Sequence, residues 1–303
     1  MANIGTKTLN DGAKIPALGF GTGGAHFGKS ADAAASLAIK AGFTHLDTAQ
    51  AYQNEDSLGI SIAEAGPSIR PKLFICTKLT LLPPGKSVRE AFLESLKKLQ
   101  IDYVDMFLIH SPMFVVGRMK EVWEEIESFQ KEGLAKTIGV SNFRVGDLEE
   151  LLKTAKVIPA VNQIEYHPYT AKSAQPILEF NKKHGIATES YGGLTSIVKQ
   201  PGGPVDPVVA KIRQRLISTT GKQDITDAQV LLKWLEAKDL IILTTTSKWE
   251  RLQEYLAASS LPPLTAEEVQ AIDDAGSQVH FRRYQIMKHM DAPYVANAPA
   301  PKL

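Results

Sequence analysis

The chain has 303 residues, 44% of them apolar and 22% charged, with 34 Lys plus Arg against 33 Asp plus Glu for a formal charge of +1. That length suits two average domains or one α/β barrel of roughly 250 residues, and the composition excludes disordered, collagen-like and coiled-coil chains. So balanced a charge gives no field to hold a nucleic acid or an anionic membrane surface, and a single cysteine, Cys76, excludes an internal disulfide or a multi-cysteine zinc site.

The first element is a hairpin: KTLNDGAKI places Asn10, Asp11 and Gly12 between apolar ends, and such a hairpin can plug one end of a barrel. Eight short apolar runs follow, too continuous for strands with one wet face: PALGF (16–20), THLD (44–47), LFICTK (73–78), VDMFLIH (104–110), KTIGV (136–140), PAVNQIE (159–165), GIATES (185–190) and LIILTT (240–245). They read as buried parallel strands, with Cys76 an inert position on the third. Between them, apolar residues recur at helical spacing, as in Val88, Phe92, Leu96 and Leu99, or Val122, Trp123, Ile126 and Phe129. Strand and helix alternate without a composition break, which predicts one (β/α)8 TIM barrel filling a single domain over 1–303. The tail from about residue 277 is rich in Pro and Ala towards its end and is expected to be irregular.

In such a barrel the reactive groups come from the C-terminal ends of the strands. Asp47, Lys78 and His110 end the second, third and fourth runs, and Asn142 follows the fifth, each about one strand–helix unit after the last. An acid, an amine, an imidazole and an amide are therefore expected at one mouth. Burying Asp47 or Lys78 there is costly unless they pair, and Tyr52, five residues past Asp47, can fold back toward Lys78. A neighbouring ammonium favours phenolate, which is expected to bring the phenol down into useful range for general acid work. A purely structural ion pair beside a satisfied histidine is the plain alternative.

The stretch GFTHLDTAQAYQNE (42–55) resembles the first signature of the aldo-keto reductase superfamily, and KTIGVSNF (136–143) its second. The resemblance runs from about residue 6 to 275 and puts Asp47, Tyr52, Lys78 and His110 on the family's catalytic tetrad. It implies NADPH bound in an extended pose and hydride delivered to a small-molecule carbonyl. In those roles Tyr52 protonates the alkoxide, Lys78 lowers the phenol pKa, Asp47 holds Lys78 and His110 orients the carbonyl. By the same resemblance Gly21, Thr22 and Asp47 lie near the nicotinamide ribose, Ser141, Asn142 and Gln163 hold the carboxamide, and Tyr191 stacks on the ring. Arg251 falls on the 2′-phosphate arginine, Glu254 and Tyr255 face adenine, and Thr246, Ser247 and Lys248 lie beside the phosphate.

Departures from the family pattern are specific. Thr245 and Thr246 stand where Lys–Ser is frequent, and Gly-Gly-Leu-Thr follows Tyr191, which alters the pyrophosphate contacts around Gly192, Leu194 and Ser196. Gly23 and Ser111 replace two tryptophans of aldose-reductase-like members, which is expected to widen a pocket lined by Phe27, Tyr52, His110, Phe114 and part of the tail from about 277, and the resemblance implies that the C-terminal loop near His280–Tyr284 closes over the substrate. HSP after the fourth strand and TTSK after the eighth are similar to fungal members that reduce α-keto amides, conjugated polyketones and ketopantoyl lactone. The family default is a monomer.

Other readings stay open. GFGTGG (19–24) matches a dinucleotide-binding glycine pattern, but the helix is expected to start only at Ser30 or later, leaving a phosphate without a helix N-terminus. Tyr284 and Lys288 form a Tyr-x-x-x-Lys pair in the tail, read as chance spacing. His45 with Asp47, and Glu165 with His167, are the residues a metal-dependent barrel hydrolase would use, whereas the reductase reading needs no metal. His26, His184, His280 and His289 read as solvated, and His167 as a loop residue near the mouth. Some relatives of this kind serve as cofactor-binding channel subunits, and the short segment ahead of the hairpin favours a free-standing enzyme instead. No run reaches the ~18 apolar residues of a membrane helix, and the N-terminus lacks the order of a signal peptide, so a soluble, cytoplasmic protein is expected. The terminal PKL differs from a peroxisomal SKL by its proline.

Overall fold

The computed structural model describes residues 5–295; the terminal PKL lies outside them. A two-stranded antiparallel hairpin, β1 (Thr6–Thr8) and β2 (Lys14–Pro16), precedes eight parallel strands. These are β3 (Leu18–Gly21), β4 (His45–Asp47), β5 (Phe74–Leu79), β6 (Val104–Ile109), β7 (Ala135–Ser141), β8 (Val161–Glu165), β9 (Ala187–Tyr191) and β10 (Ile241–Thr244). They close into a barrel in sequence order, with β10 pairing back onto β3. All eight sequence-read strands are present, each within about two residues of its expected bounds.

The helical spacings hold as well. Val88, Phe92, Leu96 and Leu99 are buried on helix Val88–Leu99, where Ser87 and Glu90 close a reciprocal capping box. Val122, Trp123, Ile126 and Phe129 form the buried face of helix Met119–Glu132. After β3 the first α-helix begins at Asp32, well past the glycine run, so GFGTGG carries no Rossmann geometry.

The barrel interior is layered by period-two alternation. At its N-terminal end Leu9 and Ile15 from the hairpin pack with Phe74, Cys76, Met106, Leu108, Val161 and Ile241, so the hairpin is the plug. Cys76 is fully buried in this layer. At the other end the inward positions turn polar, and the chemistry collects there.

The strand–helix alternation carries additions: three helices, Thr195–Lys199, Val205–Thr220 and Asp227–Ala237, separate β9 from β10, and two, Trp249–Ala257 and Ala266–Gly276, follow β10. Helix Ala266–Gly276 packs against helices Pro168–Lys183 and Val205–Thr220. The chain then crosses the polar mouth. Its tail is less irregular than expected: Gln285–Asp291 winds into 3₁₀ turns that bury Met287 and Met290.

Candidate active site

Asp47 and Lys78 are buried at the ends of β4 and β5, with Lys78 Nζ 2.6 Å from Asp47 Oδ1. Lys78 also donates to the Thr48 carbonyl at 2.9 Å and approaches the Tyr52 hydroxyl at 3.5 Å. Burial, the largest single influence, would push its ammonium down, but the charge and hydrogen bond of Asp47 together with Tyr52 and Cys76 outweigh it and hold the amine well above the ordinary lysine range. Tyr52 sits on a 3₁₀ turn, Gln50–Tyr52, that folds it back over the mouth. Its ring meets His110 edge-to-face at 5.4 Å. The four residues therefore converge as expected.

One expectation fails. Burial pushes the Tyr52 phenol up to about 12, because the pull of Lys78 is smaller than the desolvation cost and is partly cancelled by Asp47. Tyr52 is thus a firmly protonated donor. Burial, with Lys78 nearby, likewise holds His110 well below the usual histidine range, as a neutral imidazole.

Around this group lie the other candidate residues. Ser141 ends β7 and donates to the Gln163 carbonyl at 2.8 Å. Asn142 follows at φ 60°, a left-handed conformation that Asn tolerates better than most residues, and donates to the His110 carbonyl at 2.9 Å. Tyr191, at the end of β9, donates to Asn142 Oδ1 at 2.7 Å. Gln163, on β8, donates from Nε2 to Asp47 Oδ2 at 3.0 Å. Gly21 ends β3; the Thr22 hydroxyl donates to Asn54 Oδ1 at 3.0 Å, and its backbone N–H donates to the Asp47 carbonyl, which ties this loop to β4.

A second group of candidate residues follows β9 and β10. Gly192 adopts φ 72° and starts the turn that carries Leu194 and buried Ser196. Thr195 Oγ1, Ser196 Oγ and Thr245 Oγ1 are buried with no hydrogen-bond partner among the described residues, a set of hydroxyls suited to pyrophosphate oxygens. Beyond β10, Thr246 is buried while Ser247, Lys248 and Arg251 are exposed at the rim. Glu254 instead accepts from Thr226 Oγ1 at 2.6 Å, and Tyr255 is packed in the core, so only the first group projects outward.

Phe27, 56% exposed, stands 6.1 Å from the Tyr52 ring, and Phe114 stands 6.1 Å from His110. The widening expected at Gly23 is only partial. A Cβ there would lie 2.8 Å from Tyr52 Cζ, so the phenol itself fills part of that space.

The sequence reading missed how the tail joins the site. Glu165 accepts from the backbone N–H groups of Arg283 (2.7 Å) and Tyr284 (3.2 Å) and pairs with His167 Nε2 at 3.0 Å. His167 lies in the loop between β8 and helix Pro168–Lys183, as expected, and is fully buried there. The Tyr284 ring meets Tyr191 edge-to-face at 5.3 Å, and its hydroxyl would lie 3.2 Å from a Cβ at Gly24. The ring of His289 is half-buried and its Nε2 lies 2.9 Å from the Asn142 carbonyl, not solvated. The Glu165–His167 pair is engaged by the tail, and His45 Nε2 faces Glu189 at 3.5 Å.

A closed parallel barrel with a buried acid–amine pair, a tyrosine and a histidine at its mouth defines a class, and residues 17–277 match the model of the Aldo/keto reductase family. The chain belongs to that family. It is 40% identical over 290 residues to the NAD/NADP-dependent indole-3-acetaldehyde reductase of Schizosaccharomyces pombe, covering 92% of this chain and 98% of that protein. It is 36% identical over 254 residues to the methylglyoxal reductase DkgA of Escherichia coli, covering 84% and 87% of the two chains. The solved aldo-keto reductase of Bombyx mori, in complex with NADP, superposes with a TM-score of 0.79 at 29% identity, over 95% of this chain and 97% of that one. Among the described residues no helix is long and apolar enough to cross a membrane.

Proposed function

We propose that this protein is an NADPH-dependent carbonyl reductase that converts aldehydes and activated ketones to alcohols, acting as a single barrel domain and as a monomer. The observation that carries the reading is the Tyr52 hydroxyl held 3.5 Å from Nζ of the buried Lys78–Asp47 pair, with the His110 ring edge-to-face beside it. The reduced nicotinamide, when bound, supplies the hydride. Tyr52 holds the proton that the new alkoxide oxygen takes, and solvent then reprotonates it. Lys78 steadies the phenolate left behind, Asp47 keeps that ammonium in place, and His110 offers an uncharged N–H to the carbonyl oxygen as charge grows there.

Gly21, Thr22, Ser141, Asn142, Gln163 and Tyr191 are the groups that would hold the nicotinamide end, and the unpartnered hydroxyls of Thr195, Ser196 and Thr245 would take pyrophosphate oxygens. Lys248 and Arg251, with Thr246 and Ser247, would take the 2′-phosphate. The name of the fission-yeast relative supports an aldehyde substrate and dual cofactor use. The HSP and TTSK segments, with Phe27 and Phe114 beside Tyr52 and His110, extend the substrate class to α-keto lactones, α-keto amides and diketones.

The test is a fluorescence titration with NADPH and NADH, followed by absorbance loss at the nicotinamide band with a panel of aldehydes, α-keto lactones and diketones. Tight NADPH binding with turnover is expected. Binding without turnover across the panel would favour a cofactor-sensing subunit, and absence of binding would refute the reading.

A further inference from the structure

One layer below Asp47 the barrel holds two buried polar side chains, His45 and Glu189, that the proposed chemistry does not use. Gln163 and Glu189 face each other in register on β8 and β9, and His45 lies two residues before Asp47 on β4. His45 and Glu189 are both fully buried. The imidazole leans over β3 at Gly19, where a Cβ would come within 2.7 Å of its Nδ1, so only glycine leaves it room.

The hydrogen-bond chain assigns the protons. His45 Nδ1 lies 3.3 Å from the Pro16 carbonyl, which only accepts, so the ring proton is on Nδ1 and Nε2 is an acceptor. Nε2 faces Glu189 Oε1 at 3.5 Å, and among the described residues neither atom has a hydrogen-bond partner elsewhere. The one proton available to that contact belongs to Glu189. The nearest ammonium, Lys78, is already paired with Asp47, and burial together with the Asp47 charge pushes the Glu189 carboxyl up to about 8. Glu189 is a neutral acid at neutral pH, with its other oxygen, Oε2, accepting from Gln163 Nε2 at 2.7 Å.

Gln163 Nε2 therefore spends one proton on Glu189 and the other on Asp47 Oδ2. Its amide oxygen is turned away from both acids. We infer that Glu189 and His45 are positioning residues that lock the Gln163 amide so that it meets the cofactor carboxamide as an acceptor and selects for the carboxamide N–H. The inference rests on the reading of Gln163 as a nicotinamide contact. It adds a determinant of cofactor head-group selectivity located one layer beneath the site.

The probe is a pair of ligands: NADP+ and its 3-acetylpyridine analogue, which keeps the carbonyl but replaces the amide nitrogen with a methyl group. Dissociation constants come from intrinsic fluorescence quenching, with no turnover required. Wild type is expected to favour NADP+ by about tenfold, the usual consequence of leaving a fixed acceptor unpaired. Glu189→Leu removes one of the two acceptors that hold the amide and leaves Asp47 alone, so that preference should fall severalfold while the NADP+ over NAD+ preference persists. Glu189→Gln should rescue the discrimination, since its oxygen accepts from Gln163 and its N–H2 donates to His45 Nε2.

Undiminished discrimination in folded Glu189→Leu overturns the inference alone, whereas a wild type that binds neither ligand overturns the nicotinamide reading as well. If Glu189→Leu does not fold, infrared difference spectra of wild type against Glu189→Gln at neutral pH decide the matter. A protonated-carboxyl band in wild type that the variant lacks supports the assignment, and its absence overturns it.

Discussion

Tyr52→Phe separates chemistry from architecture because the hydroxyl has so small a structural part. Its contact with Lys78 is long, 3.5 Å, while Lys78 keeps Asp47 at 2.6 Å and the Thr48 carbonyl at 2.9 Å. The ring keeps its edge-to-face contact with His110 and its neighbour Phe27. Losing one weak hydrogen bond costs about 0.5–1 kcal/mol, a shift of a few degrees at most in a chain of this size. Losing the proton donor removes roughly 10²–10⁴ in rate, about 3–5 kcal/mol of barrier. The assay is single-turnover reduction of an aldehyde by enzyme preloaded with NADPH, with the NADPH dissociation constant and urea unfolding measured on the same preparation. A rate within tenfold of wild type would refute the assignment of Tyr52 as proton donor. So would a rate loss matched by an equal loss of cofactor affinity, because the defect would then lie in the scaffold.

The other predictions probe its surroundings. Lys78→Met leaves the Asp47 carboxylate buried with Gln163 as its remaining side-chain donor among the described residues, so urea unfolding should register a loss of about 3–5 kcal/mol, part of which returns in Lys78→Met/Asp47→Asn; strict additivity would refute the pairing. Gly23→Ala puts a methyl 2.8 Å from Tyr52 Cζ and must displace the phenol, lowering single-turnover rate roughly ten- to a hundredfold with NADPH affinity unchanged; an unaltered rate would show the position to be slack. Lys248→Ala and Arg251→Ala should each raise the NADPH dissociation constant roughly tenfold and leave that for NADH alone, since each removes a charge-assisted contact to the 2′-phosphate. Glu189 carries a folded-state pKa raised from 4.5 to about 8, so its contribution to stability is complete below 4.5 and is lost as pH rises through 8. Glu189→Gln mimics the neutral acid at every pH, and its unfolding free energy relative to wild type should rise by about 2–3 kcal/mol between about pH 6 and pH 8; a constant difference would refute the neutral-acid assignment.

The parts of the site that local patterning marks are those that terminate strands. A parallel barrel buries its strands on both faces, so Asp47, Lys78 and His110 stand out as polar residues closing apolar runs, and their regular spacing follows from the length of one strand–helix unit. Tyr52 is marked only by its nearness to Asp47, and its protonation was misjudged. The charge of Lys78 is visible in the sequence, but the desolvation that opposes it depends on how tightly the loops close, and Asp47 consumes much of that charge. The contacts by which the tail joins the site are hidden in the sequence for a related reason. Glu165 binds backbone N–H groups of Arg283 and Tyr284, and His289 meets the Asn142 carbonyl; contacts to main-chain atoms leave no trace in residue types, and no periodicity links segments so far apart.

The Glu189–His45 layer is the instructive intermediate. Period two makes the residue two before an inward strand end point inward as well, one layer deeper, where water is absent. That rule puts His45 beneath Asp47 and Glu189 beneath Tyr191 from sequence alone. It does not say what faces each of them, because β4 and β9 are not neighbours in the barrel and their side chains meet only across its interior, at a depth set by the stagger of the whole sheet. A histidine beside an aspartate on one strand therefore reads equally as a metal ligand or as half of a buried pair. The structure decides for the pair through two features that only the closed barrel supplies, the Gly19 opening that admits the imidazole and the Gln163 amide that joins Glu189 to Asp47. The proton on Glu189 and the orientation of Gln163 are consequences of closure, which is why they become readable only once the eight strands are placed.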